Sequence, residues 1–222
     1  ERICDLLIER GNKKRFAVNA RIEVARHPHL LEKAYRAGFR MLLFGLESAS
    51  DKSLEKMSKG FTVDQMRDAF KVFRRFPFFY HGYFIFGNIG ETEEEMLSIA
   101  DLAIELGVHT ISLNRLRVDK FTPLRKEIEG VPGYRISSNG YVYSPDFNRK
   151  RLLRIRNRIR NRFLYRPAHI ARMLSTMNAC GIVNYQHMLM VARSNHLFLY
   201  YYLLHLGHKS KRRFQALRRQ SR

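Results

Sequence analysis

Gly82-Tyr83-Phe84-Ile85-Phe86-Gly87-Asn88-Ile89-Gly90-Glu91-Thr92-Glu93-Glu94-Glu95 runs from an apolar stretch through two glycines into an acidic helix start. Phe79 to Phe86 has the aromatic, apolar content of a buried strand. Gly87 and Gly90 permit backbone conformations and a close ligand approach that a side chain would block. Thr92 and Glu95 stand at capping-box spacing, and Glu91, Glu93, Glu94 and Glu95 bring negative charge to the positive end of the helix dipole. Met96, Ile99, Ala100, Ala103 and Leu106 recur at helical spacing, and Gly107 closes the helix. Strand, turn and helix in this order are the unit from which parallel α/β proteins build a ligand-binding rim.

The same alternation extends on both sides. The patterns predict a helix at 1–10, a strand at 15–19, a helix at 28–37 between Pro28 and Gly38, a strand at 40–46 and a short helix at 51–57. A helix at 62–75 follows, opened by Thr62 and Gln65 at capping-box spacing, and a strand at 109–114 comes after the helix at 92–106. Helix-length connections between strands favour parallel pairing. Amphipathic helices over strands apolar on both faces suit a barrel or a doubly wound sheet, and either places ligands at the C-terminal strand ends. Those ends are Asn19-Ala20-Arg21, Gly45-Leu46-Glu47-Ser48, Gly87-Asn88-Ile89-Gly90 and Asn114-Arg115-Leu116.

Beyond Gly130 the pattern changes. Residues 131–146 contain Pro-Gly, Ser-Ser-Asn-Gly and Ser-Pro, which predicts a β-hairpin with a two-residue turn at Asn139-Gly140. Helices are expected at 147–164, 167–178 and 183–206, with a basic tail from Lys209. The chain therefore reads as an α/β part (1–130), a hairpin linker (131–146) and a basic helical extension (147–222). The net charge of +21 belongs to the extension side: of the 41 Lys and Arg, 19 lie in residues 131–222, where Asp146 is the sole acid.

With 222 residues, 45% of them hydrophobic and 12% aromatic, the composition is that of a globular protein. No stretch approaches the roughly 18 uninterrupted apolar residues of a spanning helix, and none has the pattern of a signal peptide. A cytoplasmic location, peripheral to a membrane, is the expectation. Cys4 and Cys180 are the only cysteines, which excludes a disulfide-rich secreted scaffold and a cysteine-ligated cluster held by this chain alone. The nine histidines form no metal-binding spacing.

Four stretches taken in order, "FGLESASDKSLEKMSKGFT" (44–62), "HGYFIFGNIGETEEEM" (81–96), the strand at 109–114 followed by "FTPLRKEI" (121–128), and "RNRFLYRPAHIARML" (160–174), resemble the radical S-adenosylmethionine (radical SAM) superfamily, most closely its cobalamin-binding branch. The resemblance implies a partial (β/α)6 TIM-like barrel in which this chain supplies strands three to six. It implies a C-terminal portion of a larger enzyme, inactive by itself. The Cys-x3-Cys-x2-Cys motif for a [4Fe-4S] cluster and the cobalamin domain would then lie outside this chain. The implied chemistry is reductive cleavage of SAM to a 5′-deoxyadenosyl radical, followed by methyl transfer, cyclisation or rearrangement.

Carried over position by position, the resemblance implies that Glu47 and Ser48 end the strand facing the SAM ribose or methionine, where a carboxylate accepts hydrogen bonds from an amine or diol. Lys59 matches a basic position that meets the SAM carboxylate, and Arg21 and Glu23 stand at the end of the preceding strand. Ile85, Phe86 and Gly87 would hold adenine, with Asn114 and Leu116 closing beneath it. Two departures stand out. Asn88-Ile89 replaces Leu-Pro before Gly-Glu, relaxing the turn, and Arg125 stands where a tyrosine follows Pro-Leu.

The resemblance further implies a small-molecule or lipid-like substrate and an electron donor such as flavodoxin or ferredoxin. Leu152, Ile155, Ile159 and Phe163 form an apolar stripe among arginines, an amphipathic basic pattern. Its first reading is contact of 149–222 with an anionic membrane surface; its second is nucleic-acid phosphate. The reading from another class is a basic nucleic-acid- or membrane-binding module on an α/β scaffold.

Overall fold

Four strands, β1 (Phe16–Ala20), β2 (Phe39–Glu47), β3 (Phe79–Phe86) and β4 (Thr110–Arg115), pair in parallel and lie side by side in chain order. The structure is a computed structural model that describes residues 1–182. The predicted helix at 183–206 and the basic tail fall outside the described residues. Each crossover is helical: α1 (Arg2–Glu9) precedes β1, α2 (Pro28–Arg36) joins β1 to β2, α3 (Asp51–Lys56) and α4 (Val63–Phe73) join β2 to β3, and α5 (Glu93–Leu106) joins β3 to β4. Sequential order is barrel-type winding, since a doubly wound sheet reverses its order at a switch point.

Alternation along the strands sends one face of the sheet into the core. Leu42, Phe44 and Leu46 of β2 and Tyr80, Phe84 and Phe86 of β3 are buried with Met66, Phe70 and Phe73 of α4 and Met96, Ile99 and Ala103 of α5. Phe44 meets the rings of Phe70 and Phe73 at 5.3 and 4.7 Å between centroids. Each such side chain contributes about 1.5–3 kcal/mol by burial. The other face differs from the expected apolar one. It carries His81, Tyr83, Ser112 and Asn114, and His81 binds the hydroxyls of Thr110 (2.7 Å) and Ser112 (3.0 Å).

Residues after β4 add a second, smaller core. α6 (Pro123–Glu129), β5 (Arg135–Ile136) and β6 (Val142–Tyr143) enclose Leu116, Val118, Ile128 and Val142, against which Ile85 and Ile89 pack. The hairpin is confirmed, but its loop spans 137–141 rather than two residues. The reason is tertiary: the Val118 N–H donates to the Gly140 carbonyl (2.9 Å), so the loop pairs with the chain leaving β4.

α7 (Arg149–Leu164) lies across α5, and its Leu152, Ile155, Ile159 and Phe163 belong to the main core. α8 (Pro167–Ala179) is held by two histidines. His109 Nδ1 accepts from the Tyr80 N–H (3.0 Å), which leaves its Nε2–H facing the Thr176 hydroxyl (3.1 Å). His169 Nε2 lies 3.1 Å from the His109 carbonyl. α7 and α8 therefore fall in the same unit as the sheet, Glu1–Cys180. Among the described residues no helix is long and apolar enough to cross a membrane.

Candidate active site at the C-terminal strand ends

β2 ends on Glu47, whose backbone takes φ 64°, the left-handed region that non-glycine residues avoid. The pairing of β2 with β3 slips at the same point, between Gly45 and Glu47. α3 then ends in a Schellman motif, with Ser58 left-handed at φ 52° and the N–H groups of Ser58 and Lys59 donating to the carbonyls of Glu55 and Leu54. The two irregularities bring Lys59 Nζ to 2.9 Å from Glu47 Oε1, with the side chains 28% and 17% exposed. Gly45 lies beneath the pair: a Cβ there would stand 2.7 Å from Glu47 Oε1 and 3.5 Å from Lys59 Nζ.

Beside this pair a cleft of about 290 Å³ is lined by Ala20, Arg21, Ile22, Gly45, Ser58, Lys59 and Phe61. Arg21 reaches the cleft but donates to Glu23 (2.7 Å), and Glu23 lines a neighbouring hollow of about 390 Å³ bounded by α4. The arginine's hydrogen bond holds the Glu23 carboxyl below the usual carboxylate range. Ser48 is fully buried and accepts from the Ser50 N–H (3.1 Å), so it shapes the turn behind Glu47.

The rim after β3 is held by a residue that the sequence reading assigned to the helix dipole. Glu91 is buried, and its Oε2 accepts from the N–H groups of Gly87 (2.7 Å) and Asn88 (2.8 Å) and from the Asn88 amide (3.3 Å). Its Oε1 has no partner, and burial pushes its pKa up from the usual carboxylate value. Asn88 also donates to the Ile85 carbonyl, Lys56 to the Ile89 carbonyl, and the Gly90 N–H to the Tyr134 hydroxyl. Side-chain bonds thus tie this turn at the place where the resembled pattern has a proline. An acid four residues after a strand-ending glycine was the available signal.

The remaining expected residues separate. Phe86 is fully buried in the main core, and Ile85 and Leu116 pack in the second core. A Cβ on Gly87, at φ 78°, would meet the Leu152 side chain of α7 at 3.2 Å, so this glycine lets α7 pack closely against the end of β3. Asn114 is exposed at the end of β4 on the face of His81. Arg21, Glu47 and Lys59 are thus drawn together, while Glu23, Ser48, Ile85, Phe86, Gly87 and Leu116 serve neighbouring packing and turns. Among the described residues no group of three His, Cys, Asp or Glu is placed to hold a metal, and both cysteines are buried, Cys180 donating to the Pro77 carbonyl.

No family model matches the chain. Over 128 residues, 56% of the chain, it is 27% identical to the anaerobic magnesium-protoporphyrin IX monomethyl ester cyclase of Cereibacter sphaeroides, covering 21% of that protein. Over 71 residues it is 38% identical to an uncharacterised methyltransferase of Pyrococcus horikoshii, covering 32% of this chain and 16% of the other. Among solved structures it is similar to the radical S-adenosylmethionine methyltransferase TsrM of Kitasatospora setae, solved with tryptophan and a SAM analogue. The TM-score is 0.58 at 16% identity over 74% of this chain and 40% of that one. The same enzyme with cobalamin and a [4Fe-4S] cluster gives 0.52 at 18% identity over 61% and 29%. The chain spans only about a fifth of the cyclase and less of the methyltransferase.

Proposed function

We propose, with the radical SAM fold that this chain shares with its solved neighbours as the premise, that it builds the SAM-holding wall of an active site whose [4Fe-4S] cluster is ligated by residues outside the described ones. The observation that carries this reading is the Glu47–Lys59 pair over Gly45. A carboxylate and an ammonium side by side at the mouth of a small cleft match, with opposite signs, the ammonium and carboxylate of a methionine moiety. In the free chain the two groups satisfy one another; a zwitterionic ligand exchanges that one ion pair for two. Glu47 accepts from the ligand amine, and Lys59 donates to its carboxylate. The described residues do not fit an iron–sulfur cluster, because they offer no thiolate set. SAM held between Glu47 and Lys59 would supply the reactive group for methyl transfer, cyclisation or rearrangement.

The rim bound by Glu91 would stand at the end of the neighbouring strand β3. The sheet face with Tyr83 and Asn114, beside the buried His81, would meet a small-molecule substrate. His81 is fixed between two hydroxyls, and burial lowers its pKa, which favours a neutral ring at pH 7. Cobalamin and a flavodoxin- or ferredoxin-like electron donor belong to other surfaces of such an enzyme.

SAM binding to the chain, measured by calorimetry, tests the assignment. Glu47→Gln and Lys59→Met are each expected to weaken SAM about ten- to hundredfold, the loss of one charge-assisted hydrogen bond of roughly 1.5–3 kcal/mol, in variants that still unfold in urea with one cooperative transition. Unaltered affinity in both variants would falsify the assignment. The chain alone should bind SAM without cleaving it.

A further inference from the structure

α7 repeats a four-residue unit, Arg-x-Arg-apolar, at 149–152, 156–159 and 160–163, with Lys150, Asn157 and Asn161 at the second place. Because the units start at i, i+7 and i+11, each place forms its own row along the helix. The apolar row, Leu152, Ile159 and Phe163, is buried in the main core. The row of third places, Arg151, Arg158 and Arg162, faces α5, where Arg151 and Arg158 pair with Glu93 and Arg162 with Asp101. The row of first places, Arg149, Arg156 and Arg160, has no carboxylate partner among the described residues, nor do Lys150 and the exposed Arg154. Within the 222 residues Asp146 is the last Asp or Glu.

We infer that this uncompensated flank of α7 is a docking surface for the phosphate backbone of a nucleic acid. Like charges four residues apart, as at Lys150 and Arg154 or Arg156 and Arg160, disfavour the helix, and the core contacts of α7 have to offset them. Arginine outnumbers lysine in the row, and its planar fork suits phosphate oxygens. Arg156 and Arg160 stand one turn apart, about 6 Å along the axis, and Asn157 and Asn161 add hydrogen-bonding groups beside them. A membrane is the weaker fit. Surface helices enter a bilayer by an apolar face, and that of α7 is already spent on the core.

Fluorescence anisotropy of the whole chain with a labelled RNA duplex, titrated in salt, tests this. Each lost phosphate contact lowers the slope of log affinity against log salt by about 0.7–0.9, so Arg149→Gln/Arg156→Gln/Arg160→Gln should lower it by roughly 2–3. The matched set Arg151→Gln/Arg158→Gln/Arg162→Gln should leave the slope nearly unchanged, provided urea unfolding shows that α7 remains packed. SAM affinity should be the same in both sets, so this inference stands or falls apart from the SAM site. Equal slopes in the first set and the unaltered chain would overturn it. So would capture by phosphatidylserine vesicles, lost in the first set, with no binding of the duplex.

Discussion

Glu91 holds the rim loop on one oxygen and leaves the other buried without a partner. Burial raises its pKa, while the three donors on Oε2 act the other way by favouring the ionised form. Glu91→Ala would strand two backbone N–H groups at about 1–3 kcal/mol each, so we expect a loss of roughly 2–5 kcal/mol in urea unfolding. Glu91→Gln keeps an acceptor and should cost less. The folded-state pKa lies above its usual value of 4.5. Glu91 therefore contributes its full stability below that value and loses it as pH rises through the folded-state pKa. Stability measured from acid toward neutral pH should therefore rise more steeply in Glu91→Gln than in the parent chain.

Helix ends were legible before the structure, and helix partners were not. Thr62 with Gln65 and Thr92 with Glu95 form the expected capping boxes with both reciprocal bonds, because a cap is satisfied within four residues of chain. α7 was read with equal certainty as an amphipathic basic helix, yet its pattern does not say what covers the apolar stripe. α5 and the sheet cover it. Ile159→Ala is therefore expected to lower the stability of the sheet-bearing unit by about 2–5 kcal/mol, with one cooperative transition. A cost below about 1 kcal/mol, or separate unfolding of the helix, would make α7 a detachable appendage.

At the scale of the molecule, α8 is fastened to the start of β4 by neutral histidines. Burial and the nearby Arg172 hold His109 at a pKa of about 4, against the ordinary 6.5, and burial lowers His169 as well. A depressed histidine contributes stability that is complete above the unfolded value of 6.5 and is lost as pH falls toward about 4. In Glu91→Gln, where the opposing slope is removed, the urea midpoint should drop across that window, and His109→Gln should flatten the drop. The sequence by itself determined the βα alternation, the caps, the parallel sheet and the charge imbalance, since each follows from periodicity or from neighbours a few residues apart. It also marked Glu47 and Lys59 as strand-end and turn residues through the family resemblance. Only the tertiary structure decided that these two meet over Gly45, that Gly87 admits Leu152, that Glu91 closes the rim, and that one row of α7 arginines is neutralised while the next is not. Those outcomes depend on contacts between residues tens of positions apart, which no local pattern encodes.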